Sequence, residues 1–401
     1  MNPLLNKLQP YPFEKLRLLF ADIMPASLTP ISFGMGEPKH PTPQFIKDAL
    51  INALSGLASY PSTVGSAELR QVLAAWLQAR YQLPSVDEAT EVLPVAGSRE
   101  ALFSLAQTVI DSSRPGALVI CPNPFYQIYE GAALLAGAQP YFVAASAHNR
   151  FACDYTTVPA EVWARTQLLY LCSPGNPTGA VLSLEDWRRL FDYSERYGFV
   201  IAADECYSEI YFDDAQPPVG GLQAAHLLGR GFERLLVLSS LSKRSNVPGL
   251  RSGFVAGDAA LLKQFIRYRT YHGCALNPAV QAASMAAWSD EAHVRENRAQ
   301  YRRKFQAVTP LLAEVLDVHM PDAGFYLWAR VDGLGVNDTE FAQRLFTEYN
   351  VTVLPGSYLG RDVGGVNPGR DYVRLALVAE LDECLAGAQR IVAFCQGLKR
   401  I

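Results

Sequence analysis

Residues 235–257 read LLVLSSLSKRSNVPGLRSGFVAG, and they place one lysine just beyond an apolar strand. Residues 235–239 predict a buried strand, because they are almost entirely apolar and do not alternate with polar residues. Hydroxyls then surround Lys243, with Ser240 and Ser242 before it and Arg251 after it. Hydroxyl and guanidinium groups suit a phosphate, and a lysine among them is a candidate for forming a Schiff base. The alternative is a solvated polar loop.

The pattern on both sides of this stretch predicts a mostly parallel sheet. Short apolar runs alternate with segments of helical spacing, such as 98–110, 126–136 and 184–197. Apolar runs of this kind are typical of strands that helices cover on both faces. The predicted strands are 91–95, 117–121, 141–144, 168–172, 200–203 and 235–239, with 253–257 as an additional strand at the edge. The predicted fold class is therefore α/β, with a sheet of the seven-stranded type.

The texture of the sequence changes after about residue 277, which predicts a second, smaller α+β domain. A long helical region at 278–316 is rich in Ala, Arg and Glu, and shorter strand and helix segments follow it. We therefore divide the chain into an N-terminal segment (1–40) that packs on the small domain, a large domain (41–277) and a small C-terminal domain (278–401). Ligands of open α/β sheets bind beyond the carboxyl ends of the strands, so functional residues are expected there.

Composition excludes several classes of protein. The chain has 401 residues, a formal net charge of -4 and no long run of either sign, which argues against a nucleic-acid-binding protein. Its seven cysteines lack C-x-x-C spacing, as in a reduced cytosolic protein, and no metal site is predicted. The N-terminus has no signal-peptide core, and prolines and glycines interrupt the least charged stretch, 115–148. We predict a cytoplasmic protein that does not bind a membrane.

Three further polar side chains follow or interrupt apolar strands. Asn176 lies in the turn SPGNPTG at 173–179, Asp204 follows the strand at 200–203, and Arg374 lies within YVRLAL at 372–377. A buried carboxylate needs a positive partner or a proton donor, and a buried arginine is almost never unpaired. Taken singly, Asn176 fits a structural turn, Asp204 a helix cap, and Arg374 an internal ion pair. Their combination on successive strand ends is more specific.

This combination resembles the fold-type I, class I/II pyridoxal-phosphate aminotransferases. The resemblance covers essentially the whole chain, from GMGEP at 34–38 to Arg374. It implies pyridoxal 5'-phosphate as the cofactor and amino acids and 2-oxo acids as substrates, with glutamate and 2-oxoglutarate among them. It also implies a homodimer whose subunits share their active sites.

The resemblance implies roles for the residues that would act on the cofactor ring. Lys243 would bind the cofactor covalently and then move the proton of the substrate Cα. Asp204 would keep the pyridine nitrogen protonated, so that the ring can withdraw electrons. Tyr207 and Asn176 would hydrogen-bond the phenolic oxygen of the ring.

Other residues match the phosphate and substrate contacts of this family. The residues that match phosphate contacts are Ser98, Arg99, Ser240, Ser242 and Arg251. Tyr126 matches an aromatic residue that stacks on the cofactor ring, and Tyr60 one that reaches the phosphate of the neighbouring subunit. Arg374 matches the residue that binds the α-carboxylate of the substrate, with Asn176 and Gly36 beside it. An ordinary helix cap at Ser98 and core packing of Tyr126 are the alternatives.

The substrate is indicated less specifically than the cofactor. Residues 10–16 (PYPFEKL), 36–40 and 271–274 resemble bacterial N-succinyldiaminopimelate aminotransferases of lysine biosynthesis. The remote succinyl carboxylate of that substrate would need a cation near the mouth of the pocket. The candidates are Lys15, Arg17, Lys39, His40, Arg99 and His272. The alternatives are a broader aminotransferase for aspartate, alanine, methionine or aromatic amino acids and, more remotely, a C–S β-lyase.

Two other enzyme classes lack the motifs that they require. Residues 240–243 have the S-x-x-K spacing of serine β-lactamases, but neither S-D-N nor K-T-G follows. A dinucleotide-dependent dehydrogenase needs G-x-G-x-x-G after a strand, and residues 34–38 depart from it after the second glycine. A β-lyase stays open because it would use the same lysine and cofactor. It would release ammonia and a 2-oxo acid without an amino acceptor.

Overall fold

The computed structural model describes residues 1–398, and a seven-stranded sheet flanked by helices forms its centre. The strands are β1 (Ile31–Ser32), β2 (Val92–Val95), β3 (Leu118–Asn123), β4 (Gln139–Ala144), β5 (Thr166–Cys172), β6 (Val200–Asp204), β7 (Leu235–Ser240), β8 (Gly253–Gly257), β9 (Tyr326–Arg330), β10 (Val351–Thr352), β11 (Leu354–Pro355) and β12 (Tyr372–Ala376). The α-helices are α1 (Pro12–Leu19), α2 (Gln44–Asn52), α3 (Ala67–Tyr81), α4 (Ser98–Val109), α5 (Ile128–Leu135), α6 (Ala160–Trp163), α7 (Leu184–Tyr197), α8 (Gly221–Leu227), α9 (Leu241–Arg244), α10 (Ala259–His272), α11 (Pro278–Ser289), α12 (Ala292–Ala313), α13 (Asp338–Tyr349) and α14 (Leu381–Leu398). None of these helices is long and apolar enough to cross a membrane.

The large sheet has the strand order β2-β8-β7-β6-β5-β3-β4. Its strands pair in parallel from β7 to β4, whereas β8 is antiparallel to both β2 and β7. The prediction of an edge strand at 253–257 is therefore wrong in position, because β8 lies inside the sheet. Glycines at both ends of β8 permit its close approach to β7. A Cβ atom on Gly253 would lie 2.3 Å from the carbonyl oxygen of Ser239, and one on Gly257 would lie 2.1 Å from that of Leu235.

Helices cover both faces of the large sheet, as the unbroken apolar runs predict. Successive side chains of a strand point to opposite faces, and in β6 Ile201 and Ala203 pack into one core while Val200 and Ala202 pack into another. The first core contains side chains of α2, α3, α7, α8 and α11, and the second contains side chains of α4, α5 and α10. The fold class is α/β, as predicted.

The small domain is built on a three-stranded antiparallel sheet in the order β11-β12-β9. Its core joins that sheet to α12, α13 and α14. The N-terminal segment packs on this domain, where β1 pairs in parallel with β10 and the ring of Phe20 stacks on Phe346 at 4.3 Å. The start of the segment also contacts the large domain, since Leu8 lies against Gly131 of α5.

The helices between the two domains suggest a boundary other than the predicted one at 277/278. The predicted helical region at 278–316 consists of two helices, and they separate near Asp290, whose carboxylate accepts the backbone N–H of His293 at 2.9 Å. The first of them, α11, packs into the large-domain core through Ala283, Ala287 and Trp288. We therefore propose that the boundary lies near residue 290 and that α11 belongs to the large domain.

Candidate active site

A cavity of about 620 Å³ lies between the carboxyl ends of the large-domain strands and the small domain. Its large-domain wall comes from the loops after β5, β6 and β7 and from the start of α4, and β9, β12 and the N-terminal segment complete it. The predicted site residues that line it are Gly36, Ser98, Arg99, Tyr126, Asn176, Asp204, Tyr207, Ser240, Ser242, Lys243, Arg251 and Arg374. Tyr60 is the exception, because its side chain is fully exposed away from the cavity.

Lys243 lies on the short helix α9, directly after β7, and its Nζ atom donates to the carbonyl oxygen of Gly36 at 2.6 Å. The amine is largely buried, and this burial lowers its pKa to about 8. The positive charges of Arg374 and Arg99 act in the same direction. A neutral amine, which is both a nucleophile and a base, is therefore accessible near neutral pH.

Asp204 ends β6 and is only 4% exposed. Its Oδ2 atom accepts from the hydroxyl of Tyr129 at 2.8 Å, and its Oδ1 atom accepts from the backbone N–H of Cys206 at 3.3 Å. Burial raises the pKa of this carboxyl, while hydrogen bonds from Cys206 and Tyr129 oppose the rise. A positive group in the cavity, such as a protonated ring nitrogen, would stabilise the carboxylate.

Two phenols meet across the cavity, one from each domain. The hydroxyls of Tyr207, just after β6, and Tyr326, on β9, lie 3.0 Å apart. Burial raises the pKa of both hydroxyls, so each is a neutral donor near neutral pH. They are thus able to donate to an oxygen atom of a ligand in the cavity.

The hydroxyls and the guanidinium that predict a phosphate site come together at one end of the cavity. The Oγ atom of Ser240 accepts the backbone N–H of Ser242 at 3.1 Å and lies 2.9 Å from its Oγ atom. Ser98 begins α4, and the preceding Gly97 offers no side chain to cap that helix. A Cβ atom on Gly97, whose φ is +90°, would lie 2.3 Å from an Nη atom of Arg251. Glycine thus leaves a cradle of N–H, O–H and guanidinium donors that suits a phosphate.

Arg374 on β12 is buried, with 3% of its surface exposed. One Nη atom donates to Oδ1 of Asn176 at 3.0 Å, and the other donates to the carbonyl oxygen of Gly34 at 2.9 Å. In the part of the chain that the structure describes, Nε has no hydrogen-bond partner. The guanidinium lies 4.2 Å from the ring centroid of Tyr326. Within residues 1–398 no carboxylate forms an ion pair with it, so the internal ion pair that the sequence left open is absent. This arginine therefore suits the carboxylate of a ligand.

The aromatic wall of the cavity is fixed by a cation. The Nε atom of Arg99 donates to the hydroxyl of Tyr126 at 2.6 Å, and its guanidinium carbon lies 5.8 Å from the centroid of that ring. Arg99 therefore orients Tyr126 as well as lining the cavity. This placement is compatible with the stacking that the family resemblance implies for Tyr126.

Three residues around the site were missed by the sequence analysis. Tyr129 holds Asp204 and Tyr326 meets Tyr207, while the Sγ atom of Cys206 donates to Oγ of Ser98 at 3.0 Å inside the cavity. Two of them had a signal in the sequence: Tyr129 follows Tyr126 by three positions, the spacing of one helix face, and Cys206 lies between Asp204 and Tyr207. Tyr326 had none, because it comes from the other domain.

Few cofactors require both a basic lysine and a buried carboxylate at the carboxyl edge of a sheet. Pyridoxal phosphate is one of them, because its aldehyde reacts with an amine and an anion stabilises the protonated form of its ring nitrogen. The fold and the site together define the class of pyridoxal-phosphate-dependent transferases. Comparison with family models agrees, since residues 29–386 match the model of aminotransferase class I and II. The chain belongs to that family and is a pyridoxal-phosphate-dependent transaminase.

Individual relatives resemble the chain over almost its whole length. An aminotransferase of known structure from Neisseria meningitidis is 51% identical, with a TM-score of 0.95 over 98% of this chain and 100% of that one. The LL-diaminopimelate aminotransferase of Aquifex aeolicus is 32% identical over 96% of this chain and 97% of its own. A structure described as a probable N-succinyldiaminopimelate aminotransferase from Thermus thermophilus is 28% identical, with a TM-score of 0.82 over 91% and 95% of the two chains.

Proposed function

We propose that the protein is an N-succinyl-LL-diaminopimelate transaminase that uses 2-oxoglutarate as its amino acceptor, in the diaminopimelate route to lysine. The observation that carries this proposal is Arg374, a buried arginine that lines the cavity of about 620 Å³ and forms no ion pair with a carboxylate within residues 1–398. The names of the Aquifex and Thermus relatives support a diaminopimelate substrate. The motif at 10–16 supports the succinylated form, since Tyr11, Pro12 and Phe13 line the cavity.

The residues of the cavity fit pyridoxal phosphate as the cofactor. We propose that Lys243 holds it covalently and that Asp204 pairs with its ring nitrogen. Tyr207 and Asn176 would face the phenolic oxygen of the ring, and Tyr126 would stack on its face. The proposed phosphate contacts are Ser98, Arg99, Ser240, Ser242 and Arg251.

Different residues of this chain would orient the substrate, stabilise the cofactor ring and transfer the proton. Bound pyridoxal phosphate supplies an electrophilic carbon and an electron-withdrawing ring. Asp204 places a negative charge at the ring nitrogen and so favours its protonated form. Arg374 binds the α-carboxylate and holds Cα near Nζ of Lys243. With the cofactor bound, Nζ of Lys243 would be the base that accepts the proton of the substrate Cα and the acid that donates it to the electrophilic carbon, a task for which a pKa of about 8 is well matched.

Replacing Arg374 with alanine should raise KM for every amino donor by about 10²-fold, because two charge-assisted hydrogen bonds to the α-carboxylate are lost. Arg374→Lys should give a KM between those of the parent enzyme and Arg374→Ala, because lysine keeps the positive charge but not the planar pair of donors. Steady-state kinetics with several donors would measure the effect, and the visible spectrum of the bound cofactor should not change. A rise in KM for one donor alone would show that Arg374 binds a different carboxylate.

The six candidate cations for the remote end of the substrate differ in their exposure and in their partners. Arg17 and His272 are exposed, Lys39 pairs with Glu383 at 3.8 Å, and His40 is buried between Asn297 and Lys304. Arg99 lines the cavity but is bonded to Tyr126 at the proposed phosphate end. Of the six cations, Lys15 therefore remains as the candidate for the remote carboxylate.

Lys15 is half-buried on α1, two residues after Phe13 of the cavity wall. Its amine lies 5.8 Å from the ring centroid of Tyr358, and within residues 1–398 no acidic side chain forms an ion pair with it. Burial and the nearby charge of Arg361 lower its pKa, while Glu130 opposes them. Arg361 is itself neutralised by Glu130, with Nε donating to Oε1 at 2.8 Å. We propose that the free positive charge of Lys15 binds the succinyl carboxylate.

Replacing Lys15 with methionine should raise KM for N-succinyl-LL-diaminopimelate about tenfold, which corresponds to about 1.4 kcal/mol for one lost charged contact. KM for glutamate should stay within about twofold, because glutamate lacks the succinyl carboxylate that is assigned to Lys15. Lys15→Arg should keep most of the affinity, and Lys7→Met, at an exposed lysine of the same segment, is the matched control. An equal rise for both substrates would contradict this assignment.

The proposed function is tested by comparing kcat/KM for a panel of amino donors with 2-oxoglutarate. We expect N-succinyl-LL-diaminopimelate to exceed aspartate, alanine, methionine and aromatic amino acids by about 10²-fold or more, since it alone among these donors carries the remote carboxylate that is assigned to Lys15. Comparable rates across the panel would establish the broader aminotransferase instead. Release of ammonia and a 2-oxo acid from a sulfur-containing donor without any acceptor would establish a β-lyase.

Unsuccinylated LL-diaminopimelate is the second candidate substrate. One observation favours it besides the name of the Aquifex relative: Glu37 lines the cavity and would attract the free distal ammonium. The two candidates separate in the same assay, because succinylation removes that positive charge. Glu37→Gln should lower kcat/KM only if the free diamino acid is the substrate.

We also propose that the protein acts as a homodimer. Tyr60, the predicted contact to the neighbouring subunit's phosphate, is fully exposed on this chain. Large exposed apolar side chains concentrate in the region before it, at Leu5, Leu8, Leu18, Met24, Leu28, Met35, Phe45, Ile51, Leu54 and Leu57. A second copy of the chain would cover such a surface.

A further inference from the structure

A chain of three buried polar side chains lies behind the proposed catalytic lysine. Lys304 and Asn297 are on α12, His40 follows the loop that contains Gly36, and the three are 2%, 4% and 4% exposed. The Nζ atom of Lys304 is hydrogen-bonded to Nε2 of His40, and Nδ1 of His40 is 2.8 Å from Oδ1 of Asn297. None of the three lines the cavity.

The far end of this chain contacts the backbone of Lys243 itself. The Nδ2 atom of Asn297 donates to the carbonyl oxygen of Lys243 at 3.2 Å and to that of Arg244 at 3.4 Å. These carbonyls end the four-residue helix α9, and the last carbonyls of a helix have no partner within it. Asn246 adds a bond from Nδ2 to Oδ1 of Asn297 at 3.0 Å. The amide of Asn297 thus holds the segment from which the lysine side chain extends.

The chemistry of the three groups fixes the direction of every hydrogen bond. A lysine ammonium only donates, so Nε2 of His40 must accept and its proton must lie on Nδ1. The Nδ1–H group then donates to Oδ1 of Asn297, which turns Nδ2 towards the two carbonyls. Lys304, acting through His40, therefore favours the same orientation of the Asn297 amide as the bond from Nδ2 of Asn246 does.

The burial of Lys304 is not explained by a structural ion pair. Within residues 1–398 no acidic group pairs with its amine, whose other contacts are the carbonyl oxygen of Val378 at 3.4 Å and the ring of Tyr301, with a centroid distance of 5.0 Å. Burial lowers the pKa of this amine to about 8, against the more distant charges of Cys384, Glu380 and Glu383. An apolar side chain of the same size would fill this space at a smaller desolvation penalty.

We propose that Lys304, His40 and Asn297 are positioning residues that hold the backbone of Lys243 and thereby the orientation of its amine. This role rests on the proposed function of Lys243 but not on which amino acid the enzyme prefers. The three residues would also link α12 of the small domain to Lys243 on the large domain.

The test uses the purified holoenzyme with two variants, Lys304→Met and His40→Gln. Methionine removes the donor that fixes His40, whereas glutamine keeps an acceptor for Lys304 but loses the bond to Asn297. In both, kcat should fall about tenfold through misplacement of the amine, while KM for the amino donor stays within about twofold because Arg374 is untouched. The pH titration of the visible band of the lysine-bound cofactor should also shift, since it reports the environment of Nζ.

Thermal unfolding separates a positioning role from a structural one. Lys304→Met should keep or raise the unfolding temperature while kcat falls, because it removes a buried charge. The matched control is Thr309→Val, which should leave kcat and the titration unchanged. Thr309 lies on the same helix as Lys304, and its buried hydroxyl has no hydrogen-bond partner among the described residues. If either variant does not fold, the other carries both readouts. Unchanged kcat and titration in a folded variant, or an equal loss in Thr309→Val, would overturn the proposal.

Discussion

Replacing Lys243 with alanine should lower kcat for transamination by about 10⁴-fold or more, because one side chain both holds the cofactor and moves the proton of the substrate. The proposed phosphate and ring-nitrogen contacts do not involve the amine of Lys243, so the cofactor should still bind to this variant, though not covalently. Borohydride reduction followed by peptide mass mapping should therefore find the cofactor on the Lys243 peptide of the parent enzyme and on no peptide of the variant.

Two controls make this result specific to the amine at position 243. Lys263→Ala, at an exposed lysine on α10, should leave both kcat and the spectrum unchanged. Added small primary amines should restore part of the lost rate in Lys243→Ala, because they supply the missing base from solution. Near-normal turnover in Lys243→Ala would refute the mechanism.

Replacing Asp204 with asparagine should lower kcat by about 10³-fold, because the negative charge that stabilises a protonated ring nitrogen is lost. The shape of the site is almost unchanged, so cofactor affinity should fall much less than the rate. Stopped-flow absorption of the half-reaction with glutamate would measure the step directly. Asp204→Glu, which keeps the charge, should retain more of the rate than Asp204→Asn.

The neighbouring residue supplies a matched control. Glu205 is also buried, and burial raises the pKa of its carboxyl to about 7. It lies outside the cavity, where it accepts from the hydroxyl of Tyr81 at 2.7 Å and from the backbone N–H of Gly221 at 2.6 Å. Glu205→Gln should leave kcat within a fewfold of the parent, and an equal loss in both variants would show that the effect is structural.

Most of the large domain and its part of the site could be predicted from local sequence. Buried parallel strands are continuous apolar runs, so a polar residue directly after one, such as Asp204, is conspicuous. Because the carboxyl ends of these strands share one edge, residues far apart in sequence could be placed together without knowing any contact. The position of β8 could not be predicted in this way, since an apolar run does not reveal its neighbours.

The remaining features depend on contacts between distant parts of the chain. Tyr326 meets Tyr207 across 119 positions, and Lys304 meets His40 across 264. A lysine on a helix rich in charged residues indicates a solvated face, and only the packing of the small domain shows that Lys304 is buried. His40 was a candidate for binding substrate for the same reason: its charge is visible in the sequence, whereas its burial is not.

The cavity wall is divided between two parts of the molecule, and this division has an evolutionary consequence. The groups proposed to face the cofactor come from the large domain, whereas Gly36, Tyr326, Arg374 and the wall at 11–13 come from the N-terminal segment and the small domain. Mutations in the wall at 11–13, to which no catalytic or α-carboxylate-binding role is assigned, can therefore change which amino acid is accepted while the chemistry supported by the first set persists. A lineage with this architecture can acquire new substrates through gradual drift at residues 11–13, while Lys243, Arg374 and the residues that support them are kept.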